Sequence, residues 1–489
     1  MSTELKGRIL VYSVIGCPHC VAVKDTLQAL QLPYCDVSLD VFPSEREQLR
    51  TRTRGQSSVP QVFFNNIYLG GSIQFHALVD DKEEFGKVLH EVKHNVAPLD
   101  APVPPDPSQA VMANSMTELV CEPDEYHVLV EQMREMGLIR DHKDGLFSVH
   151  QKSFSGKAFV QWVMHTKRLE ESAAMDMGQK LIDRCISLSL TPTNVFSTAD
   201  DAYYRLVEDD DTTALNIGEY VVCGNIKKVG EFAEDLHRLL LNIYSTYVSY
   251  DRKRIDYSGI GRCPEFETYM QMSKQLMSIM IHKASREEKL AFFINIYNTL
   301  MIHGCVAYGI PGTIWQRWKF FNTVAYIIGG RRYSLQDIEN GVLRANRKGR
   351  GMLRRPFRKG DPRLEIALEE PEPLVHFALV CGATSCPPIR TYCTIGIDAQ
   401  LQISAAAFLG SEDGCRIDRI QKHIELSSIF KWYKEDFGNN NKEVVMFVYN
   451  HMDSGEKRSQ LGELIQGGKY KFNFLSYNWE PNIKQGRKT

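Results

Sequence analysis

The residues of this chain best suited to chemistry are two cysteines three positions apart, in Gly16-Cys17-Pro18-His19-Cys20. The apolar run Ile9 to Val14 before them reads as a strand, and Pro18 suits the first position of a helix. Cys17 then falls at a helix N-terminus, where free amides and the macrodipole favour thiolate over thiol. The spacing lets Cys20 reach it. A disulfide attacked by Cys17 would be held as a mixed disulfide and released by Cys20. Further along, Ser58-Val59-Pro60 would, with Pro60 in cis, offer backbone groups on which a substrate docks as a short strand. Two other readings of the cysteine pair stay open: half of a zinc site, although no second pair lies nearby, or two small inert residues. His19 could lower the Cys17 pKa as a partly charged imidazole, or simply face solvent.

The elements around this pair alternate strand and helix over residues 8–93. A helix pattern runs through Val21, Val23, Leu27 and Leu30, a strand covers Tyr34 to Leu39, and a charged helix begins near Ser44. Val59 to Phe64, an Asn65–Asn66 turn and Ile67 to Leu69 read as a hairpin, and an amphipathic helix through Phe85, Val88, Leu89 and Val92 closes the unit. The order βαβαββα predicts one sheet containing a parallel pair and a hairpin, with helices around it.

These residues resemble the glutaredoxin family of the thioredoxin fold. CPHC stands where the family has CPYC, GQSSVPQVF where it has TGQxTVPxVF, and Gly70-Gly71 in the glutathione-binding turn. The resemblance implies Cys17 as nucleophile, Cys20 as resolver, Val59 and Pro60 as a backbone platform, Gly70 and Gly71 as part of the glutathione cradle, and Gln56 as a further contact. It also implies glutathione as co-substrate, disulfide-containing proteins as partners and no metal. Two positions depart from the pattern. Val14 replaces a common Lys, and Ser72-Ile73-Gln74 replaces a common Asp after the double glycine. Each change removes a charge-assisted contact of about 1.5–3 kcal/mol.

Residues 96–121 shift to Ala, Pro, Asp and Ser, which predicts an extended linker. A second module is expected over 122–211, ending in the acidic run EDDD. Its apolar residues Phe159, Val160, Trp162 and Val163 have helical spacing, DMGQKLIDRCISLSL adds a second helix, and Phe196 with Tyr203 to Val207 reads as a short β-pair. Trp162 is expected in the core. Phe154-x-Gly156, the Trp162 helix, Gly178 to Leu181 and Tyr204-Arg205-Leu206 are similar to a DEP domain. That likeness implies a winged-helix-like fold binding membrane surfaces or receptor tails. Lys152, Lys157, Lys167 and Arg168 would then attract anionic lipid, or be scattered solvated charges.

The region 218–489 predicts an α+β domain. Its helix Arg286 to Tyr308 is apolar almost all round and should be the buried centre, with Asn295 and Asn298 needing polar partners. Later, Pro373 to Pro387 reads as a strand entering a Gly/Ser turn with His376, Cys381 and Cys386. Three readings remain: a catalytic thiol with His376 as base, a metal site lacking a fourth ligand, or a structural turn with buried thiols. Residues five apart on a strand face opposite ways, so sequence alone does not join His376 to Cys381. FFINIYNTLMIHG, HFALVCGATSCPP and LSYNW together resemble DUF547, a family of unknown function, over about residues 280–410.

The bulk properties bound the function classes. A chain of 489 residues predicts two to four domains. A net charge of −2 offers no field for nucleic acid, and the basic stretch Arg344 to Arg358 reads as a solvated face. The N-terminus lacks the apolar stretch of a signal peptide, and no eighteen apolar residues run together. Twelve cysteines without small-domain spacing suit a reducing cytosol, so a cytoplasmic protein, peripherally membrane-bound at most, is expected. The reading is therefore a glutathione-linked oxidoreductase tethered to a signalling module. The alternatives are a non-catalytic adaptor, or a cysteine-dependent hydrolase or transferase in the last domain.

Overall fold

The computed structural model describes the chain except residues 1–4, 15–17, 40–41, 43, 54, 57, 107–122, 145–147, 192–194, 210–213, 219–228, 248–254, 384–385, 387–388 and 481–489. It divides into two compact units, Met1–Val120 and Cys121–Thr489.

In the first unit, β1 (Ile9–Ser13) pairs in parallel with β2 (Cys35–Ser38) and antiparallel with β3 (Gln61–Phe64), which forms a hairpin with β4 (Ile67–Gly70). The sheet order is β2-β1-β3-β4. Asn65 takes the positive φ of 53° that the tight turn requires, and its Oδ1 accepts the Arg8 amide at 2.9 Å. Alternation along β1 sends Ile9 and Val11 to one face, against α1 (Pro18–Ala29), and Leu10 and Tyr12 to the other, against α2 (Glu45–Arg52). One closing helix was expected, and there are two: α3 (Ser72–Asp80) and α4 (Lys82–His94). The cause is Asp81, whose carboxylate accepts the Glu83 and Glu84 amides and so restarts the helix. The expected linker begins as docked chain. The Asp100 carbonyl accepts Arg52 Nη1 at 2.8 Å, the Asp100 carboxylate accepts Asn66 Nδ2 at 3.0 Å, and Ala101 is buried.

The second unit opens with a helix, Glu125–Glu135, and a four-stranded antiparallel sheet of order β5-β6-β8-β7, made of Arg140–Asp144, Ser148–Ser155, Tyr203–Leu206 and Ser187–Ser189 respectively. Helices Gly156–Lys167 and Glu171–Asp183 cover it. The β5–β6 hairpin was not anticipated, and Phe196 lies in the core rather than in a strand. Gly178 leaves room for the Phe196 ring, which a Cβ would approach to 2.5 Å. Trp162 packs half-buried against this core, as expected. The acidic run is followed at once by contacts into the rest of the unit. Asn216 Nδ2 donates to the Ser273 and Ile327 carbonyls while its Oδ1 accepts the Ile327 amide, and Met277 and Ile327 join the Phe154–Phe159 core. The two sequence modules after residue 122 are thus one body.

The helix Arg286–Tyr308 is long and apolar enough to cross a membrane, but it is buried inside this unit from Leu290 to Cys305. A capping box of Ser285 and Glu288 starts it. The hairpin β9–β10 (Ala325–Ile328 and Arg331–Ser334) and the sheet β11-β12-β13 (Cys415–Asp418, His423–Leu426, Lys471–Phe474) complete the strands. A separate core of Phe377, Phe408, Phe430, Phe437, Val444 and Val448 underlies the second sheet.

Candidate functional site

Two regions carry the sequence-predicted chemistry. In the first unit Cys17 lies outside the described residues. Cys20 is the third residue of α1 and fully buried. The Val59–Pro60 peptide is cis, at the entry to β3. Gly70 has a φ of 90°, which permits the turn from β4 into α3, and a Cβ on Gly71 would lie 3.4 Å from the Pro60 carbonyl. The platform and the double glycine therefore adjoin. Gln56 is exposed, and Tyr68 on β4 donates to its Oε1 at 2.9 Å. Val14 packs against the Tyr12–Phe63 side of the sheet. The other described thiol of this unit, Cys35, is pushed up by burial and by Asp36, which makes it a poor thiolate.

In the second unit the Arg286–Tyr308 helix positions the thiols. Asn298 clamps an approaching segment through both halves of its amide, donating to the Ala378 carbonyl at 3.0 Å and accepting the Val380 amide at 2.9 Å. Asn295 holds Tyr392 in the same two-bond way. The segment so fixed delivers Cys381 and Cys386, whose sulfurs are 3.0 Å apart, with the Tyr477 hydroxyl 3.5 and 3.4 Å away. Residues 373–377 form a 3-10 turn, not the expected strand, because Pro373 opens it and Glu372 accepts the Leu374 amide. The hydrogen bond to Cys386 and burial push the Cys381 thiol up. Burial opposes a Cys386 thiolate, but hydrogen bonds from Cys381 and Tyr477 bring it down to about 7. Burial pushes the Tyr477 phenol up, so it stays a donor.

Cys381 and His376 line the same cleft of about 430 Å³, yet they do not form a base–nucleophile pair. His376 Nε2 is bonded to Asp436 Oδ2 at 2.8 Å, and its ring stacks on Tyr433 at 4.0 Å between centroids. Asp436 also receives Arg344 and Arg347. Arg344, expected on a solvated face, is 1% exposed. Burial alone would raise the Asp436 carboxyl, but the His376 and Arg344 hydrogen bonds hold it well below the usual carboxylate range. Across the cleft a π-helical segment, Asp337–Leu343, presents Glu339, which accepts Tyr433 at 2.6 Å and Tyr297 at 3.3 Å. Among the described residues no group of three or more His, Cys, Asp or Glu side chains could hold a metal ion.

Comparison with known proteins separates the two units. The Glutaredoxin family matches residues 9–68, and the family described as a protein of unknown function, DUF547, matches 281–409. Glutaredoxin-2 of Schizosaccharomyces pombe is 32% identical over 90 residues, 18% of this chain and 80% of that protein. A glutaredoxin of Pseudomonas aeruginosa is 30% identical over 70 residues, 14% of this chain and 82% of the relative. The chain belongs to the glutaredoxin family. It does so through its first unit, where glutaredoxin 1 of Rickettsia felis is also similar, 29% identical over 72 residues, 14% of this chain and 71% of that protein.

The glutaredoxin unit gives the chain a thiol–disulfide oxidoreductase fold at its N-terminus, followed by a DUF547 region. Of the residues singled out from sequence, Val59, Pro60, Gly70 and Gly71 are brought together with Gln56 nearby. The residues missed were Tyr477, Glu339, Tyr433 and Asp436. Tyr477 had a signal in the LSYNW stretch. The other three had none, because their roles depend on contacts dozens of residues away in sequence.

Proposed function

We propose that the glutaredoxin unit is a glutathione-linked enzyme that reduces protein disulfides or glutathione mixed disulfides. Cys17 attacks and Cys20 resolves. The observation that carries this reading is the close approach of Gly71 to the Pro60 carbonyl, at the start of α3, which packs on the helix whose first turn holds the buried Cys20. Glutathione would lie along that backbone, its sulfur toward Cys17. The test is reduction of a glutathionylated peptide and of a protein disulfide by the full chain. Cys17→Ser should abolish both, while Cys20→Ser should spare the first and lose the second. Activity of Cys17→Ser equal to the parent would refute the assignment.

The order helix, hairpin, two helices, β-pair over 123–209 supports a winged-helix-like, DEP-type role, which we propose attaches a cytosolic protein to anionic membrane or a receptor tail. Deleting this stretch would strip the shared core around Met277 and Ile327, so the better test is Lys157→Glu with Lys167→Glu. Both should reduce co-sedimentation with phosphatidylserine vesicles, and unchanged binding would count against the role. Val14 and Ser72, which lack the usual charges, favour a second reading, a binding adaptor without catalysis. The same assays decide between the two.

A further inference from the structure

The cleft of the second unit holds chemistry that the glutaredoxin reading does not use. The sulfurs of Cys381 and Cys386 at 3.0 Å are in non-bonded contact, well beyond the roughly 2.05 Å of a disulfide bond. The Cys381 amide donates to Cys386 Sγ at 3.2 Å, and Tyr477 addresses both sulfurs. Both thiols are half-buried rather than sealed, unlike Cys305 and Cys415. Cys381 faces the cleft. Buried thiols that only fill space need neither an aimed hydroxyl nor an open approach. At the cleft's edge Arg350 lies over the Trp432 ring at 4.8 Å and Arg317 over Trp479 at 4.5 Å. Arg317 already donates to the Trp479 and Pro311 carbonyls at 2.7 and 3.3 Å, while among the described residues Arg350 forms no ion pair and Glu339 is engaged by two tyrosines.

We propose that Cys381 and Cys386 form a second thiol–disulfide exchange centre, independent of Cys17 and Cys20, whose substrate is a small disulfide carrying carboxylates. The two sulfurs share one proton near neutral pH, consistent with the lowered Cys386 and raised Cys381. Cys386, the sulfur held as thiolate by the Cys381 amide and the Tyr477 hydroxyl, attacks the substrate and forms a Cys386–substrate bond as the first substrate thiolate leaves. Cys381 then attacks the Cys386 sulfur. The Cys381–Cys386 bond forms, and the second substrate sulfur departs with the proton Cys381 gives up. Two electrons pass to the substrate, and the protein ends as a disulfide. Arg350 selects carboxylates at the mouth of the cleft.

The test uses the full chain carrying Cys17→Ser and Cys20→Ser, with oxidised glutathione as probe and peptide mapping under non-reducing conditions. A Cys381–Cys386 disulfide should form and be reversed by dithiothreitol. Adding Cys381→Ser should stop the reaction at a Cys386–glutathione adduct. Arg350→Ala should slow oxidation by glutathione disulfide several-fold and leave the rate with cystamine, a cationic disulfide, unchanged. A pair that stays reduced at pH 7.5 in the background chain overturns the centre, and equal rates with the two probes overturn the anionic class. Because Cys17 and Cys20 are absent throughout, neither outcome touches the glutaredoxin assignment.

Discussion

The Asp436 carboxylate shows how a single buried residue organises the cleft, since His376, Arg344 and Arg347 all converge on it. Asp436→Asn keeps the shape but leaves the buried Arg344 guanidinium with only the exposed Glu435 carboxylate as counter-charge, at a cost of up to about 3–5 kcal/mol. The expected result is faster hydrogen exchange through residues 373–380 and 429–437, and parental exchange would contradict it. The carboxyl is held lower in the fold than in the unfolded chain. Its contribution is therefore complete above about pH 4 and fades as acid protonates it. A pH series should show that fading in the parent and not in the variant. At this scale the sequence was legible where local chemistry is self-contained. Cys17 and Cys20 announce themselves by spacing, and Asn295 and Asn298 by being amides on an apolar helix. Asp436 could not be read, because nothing local distinguishes it from a surface residue, and Tyr477 showed only through the LSYNW stretch.

Among the elements, the Arg286–Tyr308 helix does the positioning. Asn298→Ala should bare the Ala378 carbonyl and Val380 amide, costing about 1–3 kcal/mol for each group. Protection of amides near Cys381 should fall while that of the first unit stays unchanged, and uniform protection would show that the clamp is dispensable. In the first unit, Asp81→Ala removes the cap that separates α3 from α4 and should destabilise it by about 0.5–2 kcal/mol in thermal melts of the glutaredoxin unit. The strands of that unit were readable from alternation and from the Asn65–Asn66 turn. Helix α3 was not, since nine residues between two turns give too short a period. The stretch Pro373–Phe377 misled for the opposite reason: its apolar run looked like a strand, while Pro373 and Glu372 fold it into a tight turn.

For the whole molecule, the chain forms two compact units, Met1–Val120 and Cys121–Thr489. The composition change after residue 95 marks where the glutaredoxin unit's helices end. The acidic run near 210 marks no division, because Asn216 and the shared core bind across it. Two buried histidines give this second unit an acid sensitivity. Burial holds His237 and His303 down to about 4, opposed at His237 only by its bond to the Arg390 carbonyl. The unfolded chain binds their protons near pH 6.5, so each costs stability as pH falls from there toward 4, on the order of 3 kcal/mol at most. His303→Gln should flatten that decline in exchange-detected unfolding, and an equally steep decline would contradict it. The redox function of the first unit depends on the sulfur at position 17. Its alkylation rate by iodoacetamide in the full chain, followed against pH by peptide mass spectrometry with Cys35 as internal reference, tests that most directly. The expected half-maximal rate lies below the roughly 8.5 of an ordinary thiol, with Cys35 lagging. A midpoint at or above that value would contradict the redox assignment.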